Sequence, residues 1–368
     1  MGEPLQHSVY DKSGILLLKA GFTINMQRHL DHLIENGLYV GNDELAPQPR
    51  RAARQPAESE AQNSFEMLDM LKMQLKNIFG HYKSGKSHQI FARQIAGISL
   101  NLQEACTHDT DAALANLHLD YETPYIVVHS LQAAMICELV GKKLGIQDDK
   151  RLSVINAALT QGIGLLDLQD TLDRQSAPLT VEQKDCINAH PIKGAALLEN
   201  VGVDDATWLD AVRQHHERID GSGYPNKLTG DSIKIPARLL AVADTYSAMV
   251  RERPYRKAML SKEVMRGLLV EQGSKIDQRL IEMMIKVIGV FPPGAIVKLA
   301  NEEVAVVKKR QENSTCPIVF AFVRPDGMPR LAPVQRDTGN AEFGVAGIVN
   351  FSSYKHYLAM IRGIWINN

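Results

Sequence analysis

The chain has 368 residues, enough for about two to three domains, and carries 41 Lys and Arg against 42 Asp and Glu, a formal net charge of −1. That balance excludes a broad basic footprint for nucleic acid, and 45% hydrophobic with 23% charged residues excludes a chain disordered throughout. The four cysteines are never spaced CxxC, so neither a disulfide scaffold nor a thiolate zinc site fits. The N-terminus lacks a signal-peptide pattern and no apolar run reaches about 18 residues, so a soluble cytoplasmic protein with no membrane partner is expected.

Residues 5–10 and 15–19 flank the turn cluster Asp11-Lys12-Ser13-Gly14 and predict a hairpin. Asn25 is placed to cap a helix over 26–36, with Met26, Leu30 and Leu33 at helical spacing and Gly37 as its stop. His29 and His32 on that helix have no carboxylate companion and read as surface. Residues 46–64 hold prolines and charges without apolar periodicity and read as a linker, in which Arg50, Arg51 and Arg54 are a solubilising stretch.

From residue 65 to 289 the pattern is helical. Residues 65–79 are amphipathic and suited to pairing with another helix, a homodimer being one arrangement. Thr123 and Pro124 read as the N-cap and first residue of a strongly apolar helix. Thr180 and Gln183 form a capping box, and a further helix spans about 204–217. Pro236 opens the next, and Ser261 and Asp277 cap two more. Cys186, on the helix that leads to His190, reads as a buried structural thiol. After Phe291-Pro292-Pro293 come short β-rich runs with turns such as Pro325-Asp326-Gly327. The expected fold class is mainly α: a hairpin-helix module (1–45), a linker (46–64), a helical domain (65–290) and a C-terminal β-rich subdomain (291–368).

The chemistry concentrates in HHERIDGSGYP, residues 215–225. Adjacent histidines on a helix project about 100° apart, so both face one centre only where the helix ends, and glycines directly after them let backbone approach closely. A histidine pair alone is ordinary surface or core; the loop beside it changes the reading. The segment resembles the HHExxDGxGYP signature of HD-GYP domains, members of the HD superfamily of metal-dependent phosphohydrolases. His129 in VVHSLQ, His190 in INAHPIKGAALL and Asp244 in LLAVADTYSAM stand in the order of that family's metal ligands, and Arg253-Pro254-Tyr255-Arg256 is similar to its phosphate-contacting stretch. The likeness covers about residues 105–290.

The resemblance implies an all-helical HD fold and a bacterial signalling role in hydrolysing cyclic di-GMP at a two- or three-metal centre. Paired ions about 3.5–4 Å apart need imidazoles to hold each and a carboxylate to bridge them. Iron or manganese is implied, with zinc as the alternative, and no organic cofactor. His190, His215, His216, His129 and Asp244 are the candidate metal ligands. Arg253, Arg256 and Tyr224 are candidates for the substrate, although Tyr224 is the better fit to a role within its own turn.

The family's naming His-Asp doublet is missing. In AALTQGIGLL, residues 157–166, Gln161 takes the histidine position and Gly162 the bridging aspartate, while Leu165 replaces a lysine. Ser247 stands at a second acidic position, and Tyr125 where trinuclear members carry glutamate. Gly162 offers no ligand atom and Gln161 only an amide oxygen. The expectation is a degenerate HD-GYP domain that binds cyclic di-GMP, a related nucleotide or a signalling protein with little or no turnover. An active phosphodiesterase and a purely structural or dimeric interaction module are the alternatives.

Overall fold

A computed structural model describes residue 6, residues 9–10, 16–18 and 39–40, and residues 63–85, 88–251, 259, 261–270, 273 and 275–366. Near the N-terminus β1 (Val9–Tyr10) pairs antiparallel with β2 (Leu16–Leu18), the hairpin expected from the turn cluster. A strand not foreseen, β3 (Tyr39–Val40), adds to the other edge of β1. The helix expected over 26–36, with His29 and His32, and Arg50, Arg51 and Arg54 of the linker lie outside the described residues.

The first long helix, α1 (Ser64–Lys83), starts where the Asn63 side chain accepts from the Glu66 amide. Its apolar residues recur at helical spacing, and Leu68, Leu71, Leu75 and Phe79 are buried against α2 (Phe91–His108) and α3 (Thr110–His118). The face expected to pair with another helix is therefore used within the chain, and a homodimer through it loses its surface. The central helix is α4 (Tyr125–Lys143), largely apolar and buried throughout 126–141. It packs against α5 (Asp148–Thr160), α9 (Ile235–Met249) and α11 (Gln278–Ile288). Thr123 is not its cap: Pro124 takes that place. Asp120 instead draws in the Thr123 amide and hydroxyl at 2.9 and 2.8 Å, which makes a turn ahead of the helix.

Gln161 and Gly162 follow α5, then a 3-10 turn (Ile163–Leu165) and α6 (Leu166–Leu172). The helix α7 (Val181–Asn200) opens with the expected Thr180–Gln183 capping box. Cys186 on it is exposed, not buried, because the first half of α7 has little packed against it. Next come α8 (Ala206–Gln214), capped by Asp205, and after α9 the helix α10 (Ser261–Val270), in which Ser261 is the first residue and not the cap. Asp277 caps α11 as expected.

Strands β4 (Ile296–Leu299), β5 (Val304–Lys309), β6 (Ile318–Val323), β7 (Pro329–Asp337) and β8 (Val345–Ile348) form an antiparallel sheet in the order β7-β6-β5-β4-β8. Residues alternate between faces along β5. Val304 and Val306 join Phe65, Ala112 and the C-terminal helix α12 (Leu358–Ile366), whereas Ala305 and Val307 enter a separate cluster with Phe291. Phe65 at the start of α1 stacks on Trp365 of α12 at 5.5 Å. That terminal helix was not foreseen. Among the described residues no helix is long and apolar enough to cross a membrane.

Candidate metal centre

His190, His215 and His216 each offer a ring nitrogen within 4.8 Å of the others. His190 is in the middle of α7, immediately before Pro191. Proline has no N–H, so the Ile187 carbonyl four residues earlier loses its helical donor. His190 Nδ1 takes that place and donates to Ile187 O at 2.5 Å. His215 caps α8, where the last carbonyls of the helix are also short of donors. Its Nδ1 donates to Val212 O at 2.7 Å.

A carbonyl can only accept, so both Nδ1 atoms carry the proton and both Nε2 atoms present lone pairs. Those Nε2 atoms face each other at 3.2 Å in a buried site. Two lone pairs so placed repel unless a cation lies between them. For metal–nitrogen bonds of about 2.1 Å, two ligands of one ion are separated by about 3.0–3.4 Å. The donor set therefore fits a metal. Burial pushes His215 down to about 3, aided by the neighbouring His190, and lowers His190 and His216 in the same direction. All three imidazoles are thus neutral at neutral pH, the state a metal requires.

His216 and the glycine loop are fixed by residues the motif carries without assigning them a role. Glu217, 2% exposed, accepts from the amides of Asn226 and Leu228 at 2.6 and 2.9 Å, which closes the loop on the helix end. Gly223 lies so near that a Cβ would stand 2.3 Å from the Arg218 nitrogen and 2.6 Å from the Glu217 carbonyl carbon, both backbone. Tyr224 then lays its ring on His216 at 4.7 Å. Gly164, ahead of α6, has the same reason: a Cβ there would meet the His190 carbonyl oxygen at 2.6 Å.

The other half of the site is built from α4 and α9. His129 Nε2 donates to Asp244 Oδ1 at 2.9 Å, and His216 Nδ1 stands 4.0 Å from Asp244 Oδ2. Burial works to raise the Asp244 carboxyl, but the bond from His129 and the imidazoles of His216, His129 and His215 around it hold it well below the usual range. Gln161 Nε2 is 3.3 Å from His129 Nε2, and its own carbonyl oxygen is buried without a partner among the described residues. Tyr125 stacks on His129 at 4.9 Å. Beside Gly162 the space for a side chain is covered by Ile126, whose Cδ1 would be 3.1 Å from a Cβ. Ser247 is fully buried.

The sequence-predicted residues His190, His215, His216, His129, Asp244 and Tyr224 thus come together, with Gln161 and Gly162 at their edge. Arg253 and Arg256 lie outside the described residues. Pro191 and Glu217 were missed as parts of the site, although both adjoin histidines already singled out.

Residues 113–280 match the family model described as HD domain. Over this stretch the chain is an HD domain. HD domains are metal-dependent, in keeping with the histidine cluster. A cyclic di-GMP phosphodiesterase of Pseudomonas aeruginosa is 26% identical over 268 residues, 73% of this chain and 63% of its own. The cyclic di-GMP phosphodiesterase PdeB of Borreliella burgdorferi is 26% identical over 54% of this chain and 53% of its own. A 3'3'-cGAMP-specific phosphodiesterase of Vibrio cholerae is 28% identical over 47% of this chain and 40% of its own. The chain spans less than two thirds of each of these relatives. Among solved structures, a HDG"Y"P protein from Bdellovibrio bacteriovorus aligns with a TM-score of 0.43 and 19% identity, over 77% of this chain and 95% of that one.

Proposed function

We propose that this HD-GYP chain acts in cytoplasmic cyclic di-GMP signalling as a binding protein with little or no turnover, holding one metal ion and a cyclic dinucleotide. The observation that carries the reading is the asymmetry of the site. His190 and His215 aim paired lone pairs at one point. The opposite half spends its His129 proton on Asp244 and has Ile126 against Gly162 where a bridging carboxylate would stand.

His190, His215 and His216 would hold the ion, iron or manganese suiting a site with both nitrogen and oxygen donors nearby. Such an ion supplies Lewis-acid polarisation of a phosphate oxygen. Pro191 and the end of α8 keep the two Nδ1 protons away from it, and Tyr224 packs behind His216. Asp244 remains ionised but is engaged by His129, and no carboxylate replaces the one absent at 162. Hydrolysis through a bridged hydroxide therefore lacks its scaffold. Arg253 and Arg256 are assigned to the nucleotide phosphates on the motif alone, with bidentate guanidinium contacts as the reason. The division into residues 1–45, 46–64, 65–290 and 291–368 belongs to the same proposal.

The second reading, an active phosphodiesterase, is supported by the names of the relatives. One experiment separates the two. Full-length protein is incubated with cyclic di-GMP and ferrous or manganous ion under reducing conditions, and the products are resolved by chromatography. Intact nucleotide, beside an active relative as control, is the expected result. Linear dinucleotide or GMP that disappears in His215→Ala would replace the binding reading with the enzymatic one.

A further inference from the structure

Helix α7 runs for 20 residues with Pro191 buried at its middle, and an interior proline is the most destabilising residue a helix can hold. Its position next to His190 gives it a use. A proline frees the carbonyl four residues before it, and for the histidine directly ahead of the proline that carbonyl is three residues back. His190 Nδ1 to Ile187 O, at 2.5 Å, and His215 Nδ1 to Val212 O, at 2.7 Å, share this three-residue span. The end of α8 leaves such a carbonyl without a helical donor. The middle of α7 does so only because residue 191 is proline.

What the freed carbonyl prevents can be read across the site. His190 Nε2 and His215 Nε2 are 3.2 Å apart, within hydrogen-bond reach. With the proton on Nδ1 of both rings, each Nε2 offers a lone pair. Were the His190 proton to move to Nε2, that atom would donate to His215 Nε2 and the two rings would satisfy each other. The exchange gains and loses no proton, yet it removes the lone pair that a metal needs from His190. Both residues are buried, at 3% and 1% exposed, so water offers the Nε2 atoms little competition.

We infer that Pro191 is a positioning residue for the metal: it holds His190 in the tautomer that can bind an ion and keeps the metal-free pair from closing on itself. Pro191 has this role only if His190, His215 and His216 hold the ion, as proposed above. With alanine at 191 a backbone N–H returns to Ile187 O, the His190 ring must share that acceptor, and the bond between the two Nε2 atoms becomes competitive. A metal must then displace that bond, so its affinity falls although the helix itself has regained a hydrogen bond.

The test compares the full-length parent with Pro191→Ala. In chelator, long-range proton–nitrogen NMR of ring-labelled protein, with His190 and His215 assigned through their glutamine variants, should show both rings protonated at Nδ1 in the parent. In Pro191→Ala the His190 proton should shift towards Nε2 while His215 keeps its Nδ1 proton. Titration with manganous ion should show affinity about three- to tenfold weaker in the variant, the worth of one hydrogen bond, with urea stability in chelator no lower than the parent's. An Nε2 proton on His190 in the parent, parental tautomers in the variant, or unchanged metal affinity would each overturn the role of Pro191. Parallel losses of stability and affinity would do the same, leaving the proline as a packing residue. A parent that shows the stated tautomers but takes up no ion would overturn the metal-binding reading itself, and the positioning role with it.

Discussion

Restoring the doublet, Gln161→His with Gly162→Asp, should convert a one-metal site into a two-metal site. The backbone permits it: Gly162 has φ −88° and ψ 4°, in the bridge region that is sparsely populated but open to residues with a side chain. The obstacle is Ile126, with Cδ1 3.1 Å and Cγ1 3.4 Å from the new Cβ. Both are side-chain atoms, so a rotamer change clears them at a cost of about 1 kcal/mol. The larger cost is electrostatic. A new carboxylate in this buried site, close to ionised Asp244, costs several kcal/mol when no cation compensates it. Metal binding reverses that, contributing about 2.7 kcal/mol at a hundredfold excess over its dissociation constant. The double variant should therefore be less stable than the parent in chelator by about 3 kcal/mol and regain most of that with manganous ion. Elemental analysis of the folded, metal-loaded proteins should give about one ion per parent chain and about two per variant. Unchanged stoichiometry in a folded variant, or stability indifferent to metal, would refute the placement of Gln161 and Gly162 at the doublet positions.

Two further outcomes follow from the same geometry. Glu217→Ala leaves the Asn226 and Leu228 amides without their acceptor and should cost about 2–4 kcal/mol in urea denaturation; Glu217→Gln keeps one acceptor oxygen and should recover part, so equal losses would refute the loop-closing role. Because burial lowers His215 to about 3 and shifts His190 and His216 the same way, the unfolded chain binds more protons than the folded one below about pH 6.5. The stability of chelator-treated protein should thus be fully present above that pH and decline as pH falls towards the folded value, and a flat profile across this window in denaturation would count against neutral, buried imidazoles.

The parts of the site that could be read in the sequence are those that depend on near neighbours. His215, His216 and Tyr224 are contiguous with the loop that shapes them, and the Thr180–Gln183 box is complete within four residues. What escaped depends on packing between distant segments. The bond from His129 to Asp244 joins residues 115 apart and exists because α4 lies against α9. Ile126 beside Gly162 is invisible to an alignment that compares residue types position by position. The Thr123 cap failed because Asp120 competes for the same amide and hydroxyl. The last helix, α12, is almost uniformly apolar, so it offered no amphipathic period to detect, only a face that the sheet and Phe65 cover.

That division between local and distant also accounts for the survival of half a centre. His190 and His215 take their orientation from carbonyls within their own helical turns, one freed by Pro191 and the other by the end of α8. Nothing in that arrangement refers to residues 161 and 162. The second half depends on α4, α5 and α9 converging, and there a single missing side chain lets Ile126 fill the gap and leaves His129 to pair with Asp244. On the proposed reading, loss of the doublet removes the bridge and leaves the carbonyl bonds of His190 and His215 in place. Metal binding and phosphodiester hydrolysis are on that reading separable, because the bonds that orient His190 and His215 do not involve residues 161 and 162.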